Sequence, residues 1–200
     1  MREQIRRCIN HEPPATGGHG DYAVAGVARE ERFLTPAAVL VPLVDRREGL
    51  TVLLTQRTDH LLHHGGQISF PGGRVEEHDT GPVETALRET EEEIGLERHY
   101  VEIIGFLDLY QTVTGFLITP VVSFVEPGFA LNPDPFEVAE VFEVPLSFIL
   151  DPRNHELRSR VYKGLERRFY VLPYENRYIW GATAAMLVSF ARRLAGCCQP

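Results

Sequence analysis

Four glutamates crowd one short stretch of the chain: Glu89, Glu91, Glu92 and Glu93. If the stretch is helical, positions 89, 92 and 93 are spaced i, i+3 and i+4, and their carboxylates share a face. Left alone, that grouping is costly. Like charges at this spacing repel, and anions at the C-terminal end of a helix meet the negative end of its macrodipole. A cation would offset both costs, and a hard, oxygen-preferring ion such as Mg2+ or Mn2+ suits carboxylates. A solvated acidic face is the alternative that any glutamate-rich helix offers. The run Phe70-Pro71-Gly72-Gly73 upstream and Arg88 beside Glu89 favour the metal-binding reading.

The helix that would carry these acids has a second face, Val83, Ala86, Leu87, Thr90 and Ile94, mostly apolar and suited to burial. Gly95 follows as a left-handed C-cap would. Upstream, residues 37–44 are a nearly continuous apolar run, as in a strand covered on both faces, with Pro42 implying a bulge or a sheet edge. A turn at 46–49 leads to an alternating strand at 50–56, so the two read as a hairpin. Residues 57–69 hold Arg57, His60, His63 and His64 before the glycine turn. They read either as a solvated loop or as an anion contact, because backbone amides at Gly65-Gly66 and an Arg are what a phosphate needs.

Beyond the acidic helix, 101–109 and 116–125 read as strands joined at Val113-Thr114-Gly115. A proline-containing loop, 126–136, precedes a strand at 137–145. Glu137, at that junction, is a candidate base or extra ligand, with Glu140 its rival and an exposed strand-end glutamate the plain alternative. Residues 146–150 resemble a helical turn, and the polar stretch 151–166 reads as a mobile flap. A hairpin over 168–172 and 177–180 carries Tyr170, Tyr174, Tyr178 and Trp180, which suit either a core or stacking on an adenine. A final helix spans 181–194, with Thr183 a candidate cap. At the other end, 2–9 suits a short helix with Ile5 and Ile9 on one side. Residues 11–31 are rich in Pro and Gly and read as irregular, with Tyr22, Val24 and Val27 available to cover the core.

Two hundred residues, 44% hydrophobic and 24% charged, suit one globular domain. The expected division is an irregular lead-in over 1–33 and a single domain over 34–196. A net charge of −8 argues against sequence-independent nucleic-acid binding. Cys8, Cys197 and Cys198 form neither a metal spacing nor a disulfide framework. No apolar run has transmembrane length, and the N-terminus is too polar for a signal peptide. A cytoplasmic protein with no membrane partner is the expectation. A homodimer is left open, since the sequence does not speak to oligomeric state.

Residues 73–96 resemble the Nudix box, G-x5-E-x7-R-E-U-x-E-E-x-G-U with U apolar. Gly73, Arg88-Glu89, Glu92-Glu93 and Gly95-Leu96 match. Asp79 stands where the first Glu falls, eight residues rather than seven separate it from Arg88, and Thr90 occupies an apolar position. A second resemblance is to the coenzyme A pyrophosphatase subfamily, whose signature L-L-T-x-R-[SA]-x3-R-x3-G-x3-[FI]-P-G-G precedes the box. Leu53-Leu54-Thr55-Gln56-Arg57-Thr58, Gly66 and Phe70-Pro71-Gly72-Gly73 keep every spacing, while Thr58 replaces the small Ser or Ala and Leu62 replaces an Arg.

The resemblance implies an α/β fold, the Nudix α/β/α sandwich with a mixed β-sheet. It also implies metal-dependent hydrolysis of a diphosphate linkage in a small-molecule nucleotide of the coenzyme A type. Glu89, Glu92 and Glu93 would hold Mg2+ or Mn2+ with the Gly72 carbonyl. Glu92, Arg88 and Glu137 would serve the reaction, and Arg57, Gly66, Gln67 and Phe70 would contact substrate. ADP-ribose, another dinucleotide, a nucleoside triphosphate, or a non-catalytic nucleotide-binding role are the alternatives.

Overall fold

A computed structural model describes residues 1–15, 18–26, 33–61, 64–162 and 164–197. Of the residues singled out above, Val27, Leu62, His63 and Cys198 lie outside these segments. The chain opens with α1 (Arg2–Cys8), a two-residue strand β1 (His19–Gly20) and α2 (Asp21–Ala25). There follow β2 (Thr35–Arg46), β3 (Gly49–Arg57), β4 (Ile68–Ser69), β5 (Gly72–Arg74) and α3 (Pro82–Ile94). Then come β6 (Val101–Phe106), β7 (Tyr110–Gln111), β8 (Phe116–Val125), β9 (Val138–Pro145) and α4 (Leu146–Leu150). The last elements are β10 (Glu156–Tyr162), β11 (Leu165–Tyr174), β12 (Arg177–Trp180) and α5 (Gly181–Gly196).

β2 is the spine of a nine-stranded mixed sheet. It runs parallel to β8 from Thr35↔Phe116 to Val44↔Val125. Its other edge is shared: antiparallel β5 takes 37–39 and antiparallel β3 takes 43–46. Pro42 therefore lies in a central strand, neither at a bulge nor on an edge. It falls in the interval where β2 changes partners, which is where a missing N–H costs least.

Period-two alternation sends the side chains of β2 to two different layers. Ala38, Leu40 and Val44 meet clusters that include Ala86 and Ile94 of α3. Val41 and Leu43 enter the larger core with α5, α4 and α1. Helices thus cover both faces of a mixed sheet in an α/β/α sandwich.

Two further expectations are corrected. Residues 151–166 are no open flap: β10 pairs antiparallel with β11 over seven residue pairs, and β12 completes a second, three-stranded sheet. Alternating Leu157 and Val161 with Arg158 and Arg160 is a strand pattern that its polarity disguised. Thr183 does not cap α5; its hydroxyl donates to Ile68 O at 3.0 Å and ties the helix to β4.

The N-terminal residues belong to the same packing. Ile5 and Ile9 are buried against α5 side chains, and Tyr110 Oη and Val113 N both donate to Asp21, at 2.6 and 2.7 Å. Among the described residues no helix is long and apolar enough to cross a membrane. Ile5→Ala is expected to lower unfolding free energy by about 2–5 kcal/mol, the usual cost of such a cavity, measured by urea denaturation. A loss under about 0.5 kcal/mol would show that α1 is not part of the cooperative core.

Candidate active site

The glycine turn and the acidic helix meet because β5 pairs with β2 directly beside α3. Gly73 has no room for a side chain: an added Cβ would strike the carboxylate of Glu89. Gly72 has φ +150°, and a Cβ there would meet the Ala38 carbonyl and Val39. Its N–H donates to Glu93 Oε2 at 3.1 Å. The turn is therefore glycine because carboxylates approach on one side and β2 on the other.

Arg88 organises the rim. Its Nε and Nη2 donate to the two oxygens of Asp79, each at 3.0 Å, and its Nη1 reaches Glu89 Oε1 at 3.0 Å and Glu92 Oε2 at 3.1 Å. Nη2 also donates to the Arg74 carbonyl. The bidentate partner is thus Asp79, the residue that departs from the box pattern. Its side chain is fully buried and also accepts from Thr85 Oγ1 and Glu76 N. The guanidinium beside it holds Asp79 well below the usual carboxylate range.

Glu93 is 5% exposed. Burial pushes its pKa up to about 8, against the opposing pull of the Gly72 N–H and Arg57. Arg57 Nη1 lies 3.3 Å from Glu93 Oε1, and its Nη2 lies 3.5 Å from Glu137 Oε2. Glu89 is also raised, again chiefly by burial, with Glu92 and Glu137 adding to the effect. Glu140, the rival of Glu137, is turned to Arg177 instead. Glu91 faces outward and pairs with Arg98.

The loop between β8 and β9 closes the site by capping α3. Gly95, in the left-handed conformation with φ 69°, donates to Glu91 O. Asn132 N donates to Ile94 O and Asp134 N to Glu93 O, each at 2.9 Å. The last carbonyls of the helix, which need partners, thereby fix the path that delivers Phe136 and Glu137. Nothing in the local composition of 126–136 signals this.

Some expected substrate contacts sit differently. Phe70 is 2% exposed and packed in the larger core, so its ring braces the glycine turn rather than facing a ligand. The Gly66 N–H donates to Arg57 O, and an added Cβ would meet Asp59 Oδ1; this glycine shapes the loop, with its donor already used. Gln67 N donates to His64 O, and its side-chain carbonyl lies 2.7 Å from His64 Nδ1.

The donor set fits a hard divalent ion in type and charge. It is all oxygen, and two of its carboxylates, Glu89 and Glu93, are raised by burial that Arg88 and Arg57 do not offset. It does not fit as a finished cage. Among the described residues no three Asp, Glu, His or Cys side chains already converge to ligate one ion.

Two outcomes follow from these contacts. Asp79→Ala is expected to cost about 3 kcal/mol of stability by breaking the buried bidentate pair with Arg88, read by denaturant titration; an unchanged midpoint would show that Arg88 does not depend on it. The raised Glu93 pKa favours the protonated folded state. Its contribution is fully present below the unfolded value near 4.5 and is lost as pH rises through about 8. Metal-free Glu93→Gln protein should therefore gain melting temperature over wild type progressively from pH 5 to pH 8.5. A pH-independent difference would refute the raised pKa.

The NUDIX domain family model matches residues 34–165. A protein of Yersinia enterocolitica named "Uncharacterized Nudix hydrolase NudL" is 41% identical over 159 residues, covering 80% of this chain and 79% of its own. The protein of the same name from Escherichia fergusonii is 39% identical over 168 residues, with 84% and 87% covered. In fold, the NUDIX domain of Shewanella oneidensis NrtR complexed with ADP ribose superimposes with a TM-score of 0.50 at 19% identity, covering 81% of this chain and 88% of that one. The Ap4A hydrolase of C. elegans gives 0.50 at 14% identity, with 82% and 98% covered. The matched domain, the relatives and the carboxylate-bearing helix agree: this chain belongs to the Nudix hydrolases, a family that hydrolyses pyrophosphate linkages in nucleoside diphosphate derivatives and generally uses divalent metals such as Mg2+ or Mn2+.

Proposed function

We propose that this Nudix hydrolase cleaves the diphosphate linkage of coenzyme A, or of its acyl or oxidised forms, to 3′,5′-ADP and 4′-phosphopantetheine or the matching derivative. One observation carries the reading. The run 53–58, Gly66 and 70–73 keeps the spacing of the coenzyme A pyrophosphatase signature, and its Arg57 bridges Glu93 and Glu137.

A Mg2+ or Mn2+ ion at these carboxylates would neutralise the phosphate oxygens and lower the pKa of a bound water. Glu89, Glu92 and Glu93 are the residues that would hold it, with the Gly72 carbonyl as an added oxygen. Arg88 keeps Glu89 and Glu92 in place through its grip on Asp79. Arg57 is positioned to leave its glutamates for a substrate phosphate, where a planar guanidinium binds bidentately. Water attacks one phosphorus, the bond to the bridging oxygen breaks, and the other phosphate leaves. Glu137 takes the proton of the attacking water. Such a group needs a clear path to the water, and Glu137, with its side chain 43% exposed, has one.

Leu62, where the subsidiary signature has Arg, supports a second reading in which ADP-ribose, another dinucleotide or a nucleoside triphosphate is preferred. Hydrolysis of coenzyme A, ADP-ribose and NADH with Mg2+ and with Mn2+ separates the two. Coenzyme A should be turned over fastest, with activity lost on chelation. Faster turnover of ADP-ribose or NADH would overturn the coenzyme A assignment, and nucleotide binding without any product would point to a non-catalytic module. Glu93→Gln should cut turnover by orders of magnitude, and unchanged turnover would remove Glu93 from the site.

A further inference from the structure

Phe136 is 64% exposed, yet it is held firmly at the edge of the site. Its N–H donates to Asp134 Oδ1 at 2.8 Å, and its carbonyl accepts from Thr58 Oγ1 at 2.7 Å. Thr58 is itself buried, and its N–H donates to the carbonyl of Glu137 at 2.9 Å. His60 meets the Phe136 ring edge-to-face, with centroids 4.8 Å apart and planes at 60°. Two loops are thus pinned together one residue from the carboxylate that pairs with Arg57.

A single exposed aromatic residue needs no explanation. An exposed ring whose backbone is held by two hydrogen bonds and whose edge meets a second ring, one residue from the carboxylate that pairs with Arg57, is a different case. The edge-to-face contact fixes the tilt of the Phe136 ring, and its exposure leaves ring surface open to a flat partner. Phosphates bound near Arg57 would carry their nucleoside past this point.

We propose that Phe136, oriented by His60, stacks the purine ring of the nucleotide half of the substrate. This rests on the reading that the substrate is a nucleoside diphosphate derivative. Stacking is tolerant of base identity because every base has a π face. The subsite selects for the presence of a base rather than its hydrogen-bonding edge. Phe136 is a binding residue in this account, and His60 positions it.

The test is calorimetric titration of the 200-residue chain with ADP, and with inorganic pyrophosphate, which has no base, in the presence of Mg2+. Phe136→Ala should weaken ADP binding about tenfold, with pyrophosphate binding much less affected. Phe136→Tyr should keep ADP affinity and Phe136→Leu should not. In turnover of a nucleotide substrate, Phe136→Ala should raise KM far more than it lowers kcat. The proposal is overturned if ADP affinity is indifferent to Phe136→Ala, if both ligands weaken equally, or if leucine serves as well as phenylalanine. A wild-type protein that cleaves no diphosphate would defeat the functional reading, while the ADP titration would still decide the stack.

Discussion

The site depends on one carboxylate buried without enough positive charge around it. Glu93 lies at the foot of α3, where the helix dipole is least hospitable to an anion, and almost all of its surface is covered. Arg57 and the Gly72 N–H compensate it in part, yet burial still prevails and its pKa rises. A fold that conserved stability alone would place an apolar residue there. The deficit is what a divalent ion, or a phosphate carrying one, would correct.

The surroundings fix that deficit in place. Arg88 spans Asp79, Glu89 and Glu92 and holds the three acids together. The glycine turn admits Glu89 on one side because it has no Cβ to obstruct it. β2 sets the level of the turn, pairing with β5 along one half and with β3, which delivers Arg57, along the other. The loop before β9 finishes the helix by hydrogen-bonding its last carbonyls and in doing so carries Glu137 to Arg57. The sheet supplies Arg57, the turn an N–H and room for Glu89, the helix Arg88 and three carboxylates, and the loop Glu137.

Much of this was legible in the sequence because it is local. The shared face of positions 89, 92 and 93, the Gly95 cap, the β2–β3 hairpin and the amphipathic final helix follow from spacing alone. What was hidden is long-range. The alternation in β10 could not announce a strand until β11 was known to lie beside it. Pro42 suggested an edge because the change of partners along β2 has no local mark. Phe70 and Gly66 fit a ligand-contact pattern, but burial of the one and the internal hydrogen bond of the other appear only in three dimensions. Which arginine each of Glu137 and Glu140 meets, Arg57 or Arg177, likewise appears only in three dimensions.

The most direct test of this account is Mn2+ binding, followed by electron paramagnetic resonance with a methylene-bridged diphosphate analogue present. Wild-type protein should take up the ion, Glu93→Gln should lose most of that affinity, and Glu91→Gln, on the opposite, solvent-facing side of the helix, should retain it. Equal Mn2+ affinity in all three proteins would contradict the claim that the buried carboxylate exists to be neutralised by a metal.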